Sequence, residues 1–279
     1  MAIGDLTRIN TNIAALNALN SLKNIGTQLS VTQQRLQTTK RINEAADDPS
    51  GFSMVSKLNS RARGLATALD SVGTSQNMLA IAEGAATTIH DNLLTIQDLV
   101  RSATSNNLGD SERLAIEAQI DDLSTEITRL RDSTTFNGNK LLDGQFTGKR
   151  ILTGSESTDT ILMSISQDFS LASLGVTDGS LVVDTTTNAS LSLTYVDAAL
   201  VSVRLEIQNM GSLGSRLRGV TDNLSIAVVN TKSAASRIQD ADVAAEQVNA
   251  VRLQIMQQLA TAQLSAANSA GQQVLALFR

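Results

Sequence analysis

Few residues in this chain could do chemistry by themselves. His90 is the only imidazole among 279 residues. It has no second ligand type at a usable spacing, so a helix-surface or groove-lining place is expected rather than a metal or general-base role. Asp47-Asp48 and Asp240-Ala241-Asp242 could be read as acid–base pairs. Adjacent residues point to different faces of a helix, however, and both clusters stand at predicted helix starts, where a carboxylate caps the free N–H groups. The absence of Cys excludes disulfides, thiolate metal sites and Cys nucleophiles. No Gly-rich phosphate loop and no His-Glu-x-x-His helix is present. A formal net charge of -5 without clustered Lys and Arg argues against a nucleic-acid partner. The expectation is a non-enzyme without catalytic residues, cofactor or metal.

What positions these groups is a set of long helices. With 2% aromatics, no Trp and one Pro, the chain lacks both the rings of an ordinary globular core and the prolines of a loop-rich fold. Ala15, Ala18, Leu22, Ile25, Leu29, Thr32 and Leu36 step by three and four residues and make one helical seam. Asp48-Pro49 starts a second helix. Its seam runs from Leu58 through Leu65, Val72, Leu79, Ile89 and Ile96 to Ala103, interrupted by Gln76 and Glu83, about 70 Å long at 1.5 Å per residue. Gly64, Gly73 and Gly84 within it suggest close approach or curvature.

Asn106 to Asp110 reads as a turn with Asp110 as N-cap. Ile116, Ile120, Leu123, Ile127 and Leu130 then return antiparallel to the long helix. Between Thr134 and Thr194 the period changes. Asn137-Gly138, Asp143-Gly144 and Asp178-Gly179 are turn signals. Ile161–Ile165, Leu181–Val183 and Leu191–Tyr195 are strand candidates. Heptads resume from Val196 to Val228, and after Asp240 a last helix carries Ala244, Val248, Val251, Ile255, Leu259, Ala262 and Ala266 at about 3.7 residues per step. Both ends are Ala-rich and underfurnished, so they should order fully only when neighbouring copies supply partners. The fold expected is mainly α: a long antiparallel helical hairpin or coiled-coil bundle from both chain ends, with a small β-hairpin insert.

Five motifs carry a resemblance. Ile9-Asn10-Thr11-Asn12, Arg41-Ile42-Asn43-Glu44-Ala45-Ala46-Asp47-Asp48, Ala82-Glu83-Gly84-Ala85, Thr135-Phe136-Asn137-Gly138 and Ser236-Arg237-Ile238-Gln239-Asp240-Ala241-Asp242 resemble bacterial flagellin, in order, across both terminal thirds. Lys40 and Gly271 depart from the family's usual Gly and Pro. Asp47-Asp48-Pro49 and Leu277-Phe278-Arg279 lean toward the related hook-filament junction protein. The resemblance implies a short form without large variable outer domains, self-assembling into the hollow flagellar filament used for swimming. A junction protein and a cytoplasmic coiled-coil signalling hairpin are the alternatives.

On that resemblance, 1–48 plus 239–279 would form an inner terminal coiled-coil domain, and 49–238 an outer helical domain with the β insert at about 137–195. Leu22, Ile25, Leu29, Leu36, Val248, Val251, Ile255 and Leu259 would make inner-tube contacts. Arg41, Asp47, Asp48, Arg237, Asp240 and Asp242 would lie at the inter-domain elbow. Implied partners are further copies, the export apparatus and chaperone, the filament cap and hook-junction proteins. The N-terminus shows no basic-then-apolar leader and no stretch suits a membrane span, so export without a cleaved signal peptide is expected. Flagellins detected by the vertebrate innate receptor carry an Arg and a Leu on the second helix and a Glu on the next. Here Leu99 is kept, but Thr95 and Gln119 replace the Arg and the Glu, which implies a weakened patch.

Overall fold

The computed structural model describes residues 12–176 and 181–276, with side chains to Ser269. Ile9, Asn10, Thr11, the Asp178-Gly179 signal and Leu277-Phe278-Arg279 lie outside the described residues, as do the surroundings of Gly271 and the side chains of Val274 to Ala276. The elements are α1 (Ile13–Thr38), α2 (Pro49–Ala103), α3 (Asp110–Ser133), β1 (Thr135–Phe136), β2 (Asn139–Lys140), β3 (Lys149–Leu152), β4 (Thr160–Met163), α4 (Thr186–Gln239) and α5 (Val243–Ala276). The chain divides into two compact units, 1–60 with 231–279 and 61–230. These boundaries fall inside α2 and α4, rather than at the helix breaks near residues 48 and 239.

In the unit 61–230, the seam of α2 is the core. Val72, Ile89, Leu93, Ile96 and Val100 are fully buried, as are Val196, Val203 and Leu217 of α4 and Ile120 and Ile127 of α3. The polar interruption at Gln76 is matched, its amide donating to Thr221 Oγ1 at 3.0 Å. A polar pair at one seam position fixes the register of two otherwise repetitive helices. The glycines divide. A Cβ at Gly64 would lie 3.3 Å from the Ser155 backbone, so a loop approaches there. At Gly73 and Gly84 it would meet nothing within 4 Å, so these two do not mark close approach within the chain.

The β insert is two separate hairpins. Thr135 pairs with Lys140 and Phe136 with Asn139 around Asn137-Gly138. Those two residues have φ of +49° and +80°, the left-handed pair that a two-residue hairpin turn requires. β3 and β4 pair antiparallel, Ile151 opposite Ile161. The Arg131 guanidinium donates to Asp168 at 2.8 Å and ties this insert to the end of α3.

Two strand expectations are corrected. Leu191–Tyr195 lies within α4, because Ala189, Ser192, Val196 and Ala199 are the buried positions and step by three and four, leaving Leu191 and Tyr195 exposed. The alternation of apolar and polar residues there was one turn of a helix read at the wrong period. Leu181–Val183 is irregular, held by Ser192 Oγ donating to Val182 O at 2.9 Å and by Arg113. α3 begins at Asp110 with Gly109 at the cap position, one residue earlier than expected.

Arg113 is 5% exposed. Its guanidinium donates to the carbonyls of Ala103, Ser105 (2.7 Å) and Val183 (3.4 Å). A cation here meets the free carbonyls and negative dipole end of α2. It also pins the segment leading into α4.

Candidate functional site

The unit 1–60 with 231–279 is built on α1 and α5. The expected α1 seam is observed: Leu29 and Thr32 are buried and Ala15, Ala18, Leu22, Ile25 and Leu36 are half-buried against α5. The pair is antiparallel and latched at both ends. Asn12 caps α1 by accepting from Ala15 N at 3.0 Å while its amide donates to Ala267 O at 2.8 Å. At the other end Arg35 Nη1 lies 3.2 Å from Glu246 Oε1.

On α5 the covered face differs from the row of largest apolar residues. Ala250, Leu253 and Ala260 are buried, with Gln257, Leu264 and Ala267 half-buried, a strict alternation of three and four. Val248, Val251, Ile255 and Leu259 remain 69%, 46%, 53% and 60% exposed. The face against α1 thus mixes alanines with Leu253, Gln257 and Leu264, while a row of four apolar residues faces outward. Leu29 is buried within the chain's own helix pair, and Leu22, Ile25 and Leu36 are half-buried there. The four α5 residues form a contiguous uncovered apolar row, which a soluble surface rarely carries without a partner.

The six polar residues expected at an elbow all lie in this same unit. Thr39 to Arg41 runs alongside Gln239 to Ala241, with Arg41 N donating to Gln239 O at 2.7 Å and Ala241 N to Thr39 O at 3.0 Å. The Arg41 side chain donates to Ile238 O at 2.8 Å. Asp48 caps α2, accepting from Gly51 N at 2.9 Å and Ser50 N at 3.1 Å. Asp242 caps α5 through Ala244 N and Ala245 N. Asp240 accepts from Ser236 Oγ, and exposed Arg237 stands in the last turn of α4. Asp48 and Asp242 are thus helix caps, whereas Asp47 accepts from Asn43 N at 2.9 Å and Glu44 N at 3.1 Å in the turn before α2 and caps no helix.

The N–H groups of Asn43 and Glu44 hold the Asp47 carboxyl below its ordinary range, and those of Gly51 and Ser50 with the Ser50 hydroxyl do so for Asp48. For a lowered pKa, the stabilising contribution is complete above the unfolded value near ~3.9 and lost as pH falls through the folded value. The amide resonances of Asn43 and Gly51 should therefore titrate with midpoints below ~3.9. Midpoints at or above that value would contradict the hydrogen bonds assigned to these two carboxylates.

Elsewhere, His90 is half-buried with Nδ1 3.6 Å from Asp91 Oδ1. Among the described residues no group of three His, Asp or Glu is placed to hold a metal, and no helix is long and apolar enough to cross a membrane. Thr95 and Gln119 are exposed, whereas Leu99 packs partly against the core. Sequence reasoning missed the inner seam of α5, whose signal was the seven-residue repeat of Ala250, Gln257 and Leu264, and it missed Arg113.

Comparison with known proteins agrees with this architecture. The family profile of the bacterial flagellin N-terminal helical region matches residues 9–147, and that of the C-terminal helical region matches residues 193–278. Flagellin of Bacillus subtilis is 31% identical over 98% of this chain and 100% of its own length. Flagellin of Halalkalibacterium halodurans is 30% identical over 97% and 99%. A solved Vibrio parahaemolyticus structure assigned to a flagellar hook-associated protein shares the fold, with a TM-score of 0.58, 13% identity, and coverage of 70% of this chain and 100% of that one. With near-complete coverage of both flagellins and both helical regions in place, this chain belongs to the bacterial flagellin family, as a short-form structural subunit of the extracellular flagellar filament.

Proposed function

We propose that the subunit polymerises through the outward row of α5, with residues 1–48 and 239–279 as the inner layer of the filament and 49–238 as the outer one. The observation that carries this reading is the apolar row that α1 leaves uncovered on α5, Val248, Val251, Ile255 and Leu259, outside a buried face of Ala250, Leu253 and Ala260. Covering that row in a neighbouring copy would yield about 4 to 7 kcal/mol per subunit before ordering costs. In this reading Leu22, Ile25, Leu29 and Leu36 present α5 to the neighbour by holding it on α1. In the same reading Arg41, Asp47, Asp48, Asp240 and Asp242 fix the angle of the two breaks through their hydrogen bonds, with Arg237 beside them in the last turn of α4. The family's export apparatus, chaperone, filament cap and hook-junction proteins are the further partners.

The test is a protease footprint of free subunit and polymer. The buried apolar residues of the first unit are few, among them Leu29, Ile42, Val55, Ala250, Leu253 and Ala260, while the other unit has one continuous core from Leu65 to Leu224. In the free subunit, α1 and α5 should be cut first, leaving a fragment near residues 50 to 235. In the filament both helices should resist. Equal resistance in the two states overturns the reading.

The receptor patch also belongs to this reading. Thr95 and Gln119 stand where an Arg and a Glu would supply charge-assisted hydrogen bonds of about 1.5 to 3 kcal/mol each. Thr95→Arg/Gln119→Glu should raise potency in a receptor-reporter titration about a hundredfold. Potent activation by the wild type, or no gain in the double variant, would show that recognition was not lost here.

A further inference from the structure

The break between α1 and α2 contains two choices that local preference alone would not make. Thr39 closes α1 in the left-handed region, at φ +57° and ψ +17°. A β-branched side chain rarely takes that conformation, and it persists only where the surroundings over-determine it. Gly51 is the other. It stands in the first turn of α2 without a positive φ, at a place where alanine would make the better helix. Its backbone therefore does not demand glycine.

The missing side chain makes room. A Cβ at Gly51 would lie 2.7 Å from Ile42 Cδ1 and would also meet the Asp48 carboxylate. Ile42 is 1% exposed, so its terminal methyl fills the space that any other residue at position 51 would claim. The peptide groups of Ile42 are held by a different helix. Ile42 N donates to Gln239 O at 3.3 Å, and the Gln239 side-chain amide donates to Ile42 O at 3.4 Å. Arg41 N shares the Gln239 carbonyl at 2.7 Å, and Ala241 N donates to Thr39 O at 3.0 Å. One residue thus meets the start of α2 with its side chain and the end of α4 with its backbone.

We propose that Ile42 is the positioning residue of this break: its methyl in the notch at Gly51 and its peptide groups on Gln239 set the direction in which α1 leaves α2. The inference rests on the filament reading and adds an apolar lock to the polar contacts already described. A cap such as Asp48 decides where a helix begins, but by itself it leaves the chain before it free to turn. A buried branched side chain in a glycine notch does not, because turning either drives the methyl into the helix or opens a void. The consequence is for assembly. Because α5 is held on α1, the direction of α1 is also that of the row Val248, Val251, Ile255 and Leu259, and a contact that propagates without closing repeats that angle in every copy.

Exchanging volume between the two positions tests it. The chain has no Cys, so Asn24→Cys and Ser56→Cys, both at exposed positions, carry a spin-label pair that reports the distance from α1 to α2. Labelled full-length protein is diluted into unlabelled protein of the same variant and grown on filament seeds. Gly51→Ala should displace Ile42 and shift the mean distance. Asn24 lies about 21 Å from the end of α1 at 1.5 Å per residue, so a swing of about 10° moves it by about 4 Å. Ile42→Val lacks the Cδ1 methyl and should broaden the distribution. Ile42→Val/Gly51→Ala fills the notch with one methyl from the other side and should restore the wild-type distance and width. If Gly51→Ala does not elongate, recovered elongation in the double variant is the same result. A Gly51→Ala distance equal to the wild type's, an Ile42→Val distribution as narrow, or a double variant no closer to wild type than Gly51→Ala overturns the lock; the last would assign the clash to the Asp48 carboxylate alone. Wild-type protein that fails to elongate overturns the filament reading instead.

Discussion

Ile255→Asp and Leu259→Asp subunits should fold as monomers and fail to extend filaments. Both side chains are more than half exposed in the single chain, so the carboxylate remains hydrated there and monomer stability should change by less than about 0.5 kcal/mol. In the proposed contact the same carboxylate would be buried without a partner, at a cost of several kcal/mol. A loss of about 3 kcal/mol per contact lowers its equilibrium constant more than a hundredfold. Seeded elongation followed by light scattering reads this directly. Leu253→Asp is the contrast, because Leu253 is 7% exposed on the α1-facing side. That variant should already loosen the α1–α5 pair in the monomer, seen as faster protease cutting. Ile255→Asp subunits that elongate at the wild-type rate would remove α5's outer row from the assembly.

The two seams of α5 also show what sequence could and could not reveal. The α1 seam was legible because Leu22, Ile25, Leu29 and Leu36 recur at helical spacing with Ala15 and Ala18, and these are the positions that meet its intrachain partner, although Ile13, Leu16 and Leu19 of the same helix stay exposed. On α5 the rule that the largest apolar residues face the nearest helix fails, since α1 covers Ala250, Leu253, Gln257 and Ala260 and leaves Val248, Val251, Ile255 and Leu259 exposed. Ala250, Gln257 and Ala260 carry little hydrophobic signal, so periodicity by apolar size favoured Val248 and Ile255. The caps at Asp48 and Asp242 were legible because capping is local, set by residues two and three positions on. Leu191–Tyr195 was not, because five residues of alternation fit either period until Ala189 and Val196 on either side are seen to be buried. Arg113 left no pattern at all: its acceptors are three backbone carbonyls, and a carbonyl's need for a donor depends on burial rather than on residue type.

That arginine supports the other large effect. Arg113→Met keeps much of the side-chain volume but withdraws the donors from Ala103, Ser105 and Val183. Ala103 is fully buried, so water can re-satisfy its carbonyl only if the turn after α2 opens. An unsatisfied buried acceptor costs about 1 to 3 kcal/mol, and with partial rehydration of the other two the expected loss is about 3 kcal/mol. With a urea slope of about 2 kcal/mol/M the midpoint of the 61–230 unit should fall by about 1.5 M. Arg113→Lys retains the cation at the α2 terminus but has no planar fork to reach separate carbonyls, so its midpoint should lie between those of wild type and Met. Hydrogen exchange should localise the damage to residues 103–105 and 181–185, where the guanidinium joins two segments that share no regular secondary structure. If the Met variant melts within about 0.5 kcal/mol of wild type, the buried cation is not what holds the entry to α4 in place.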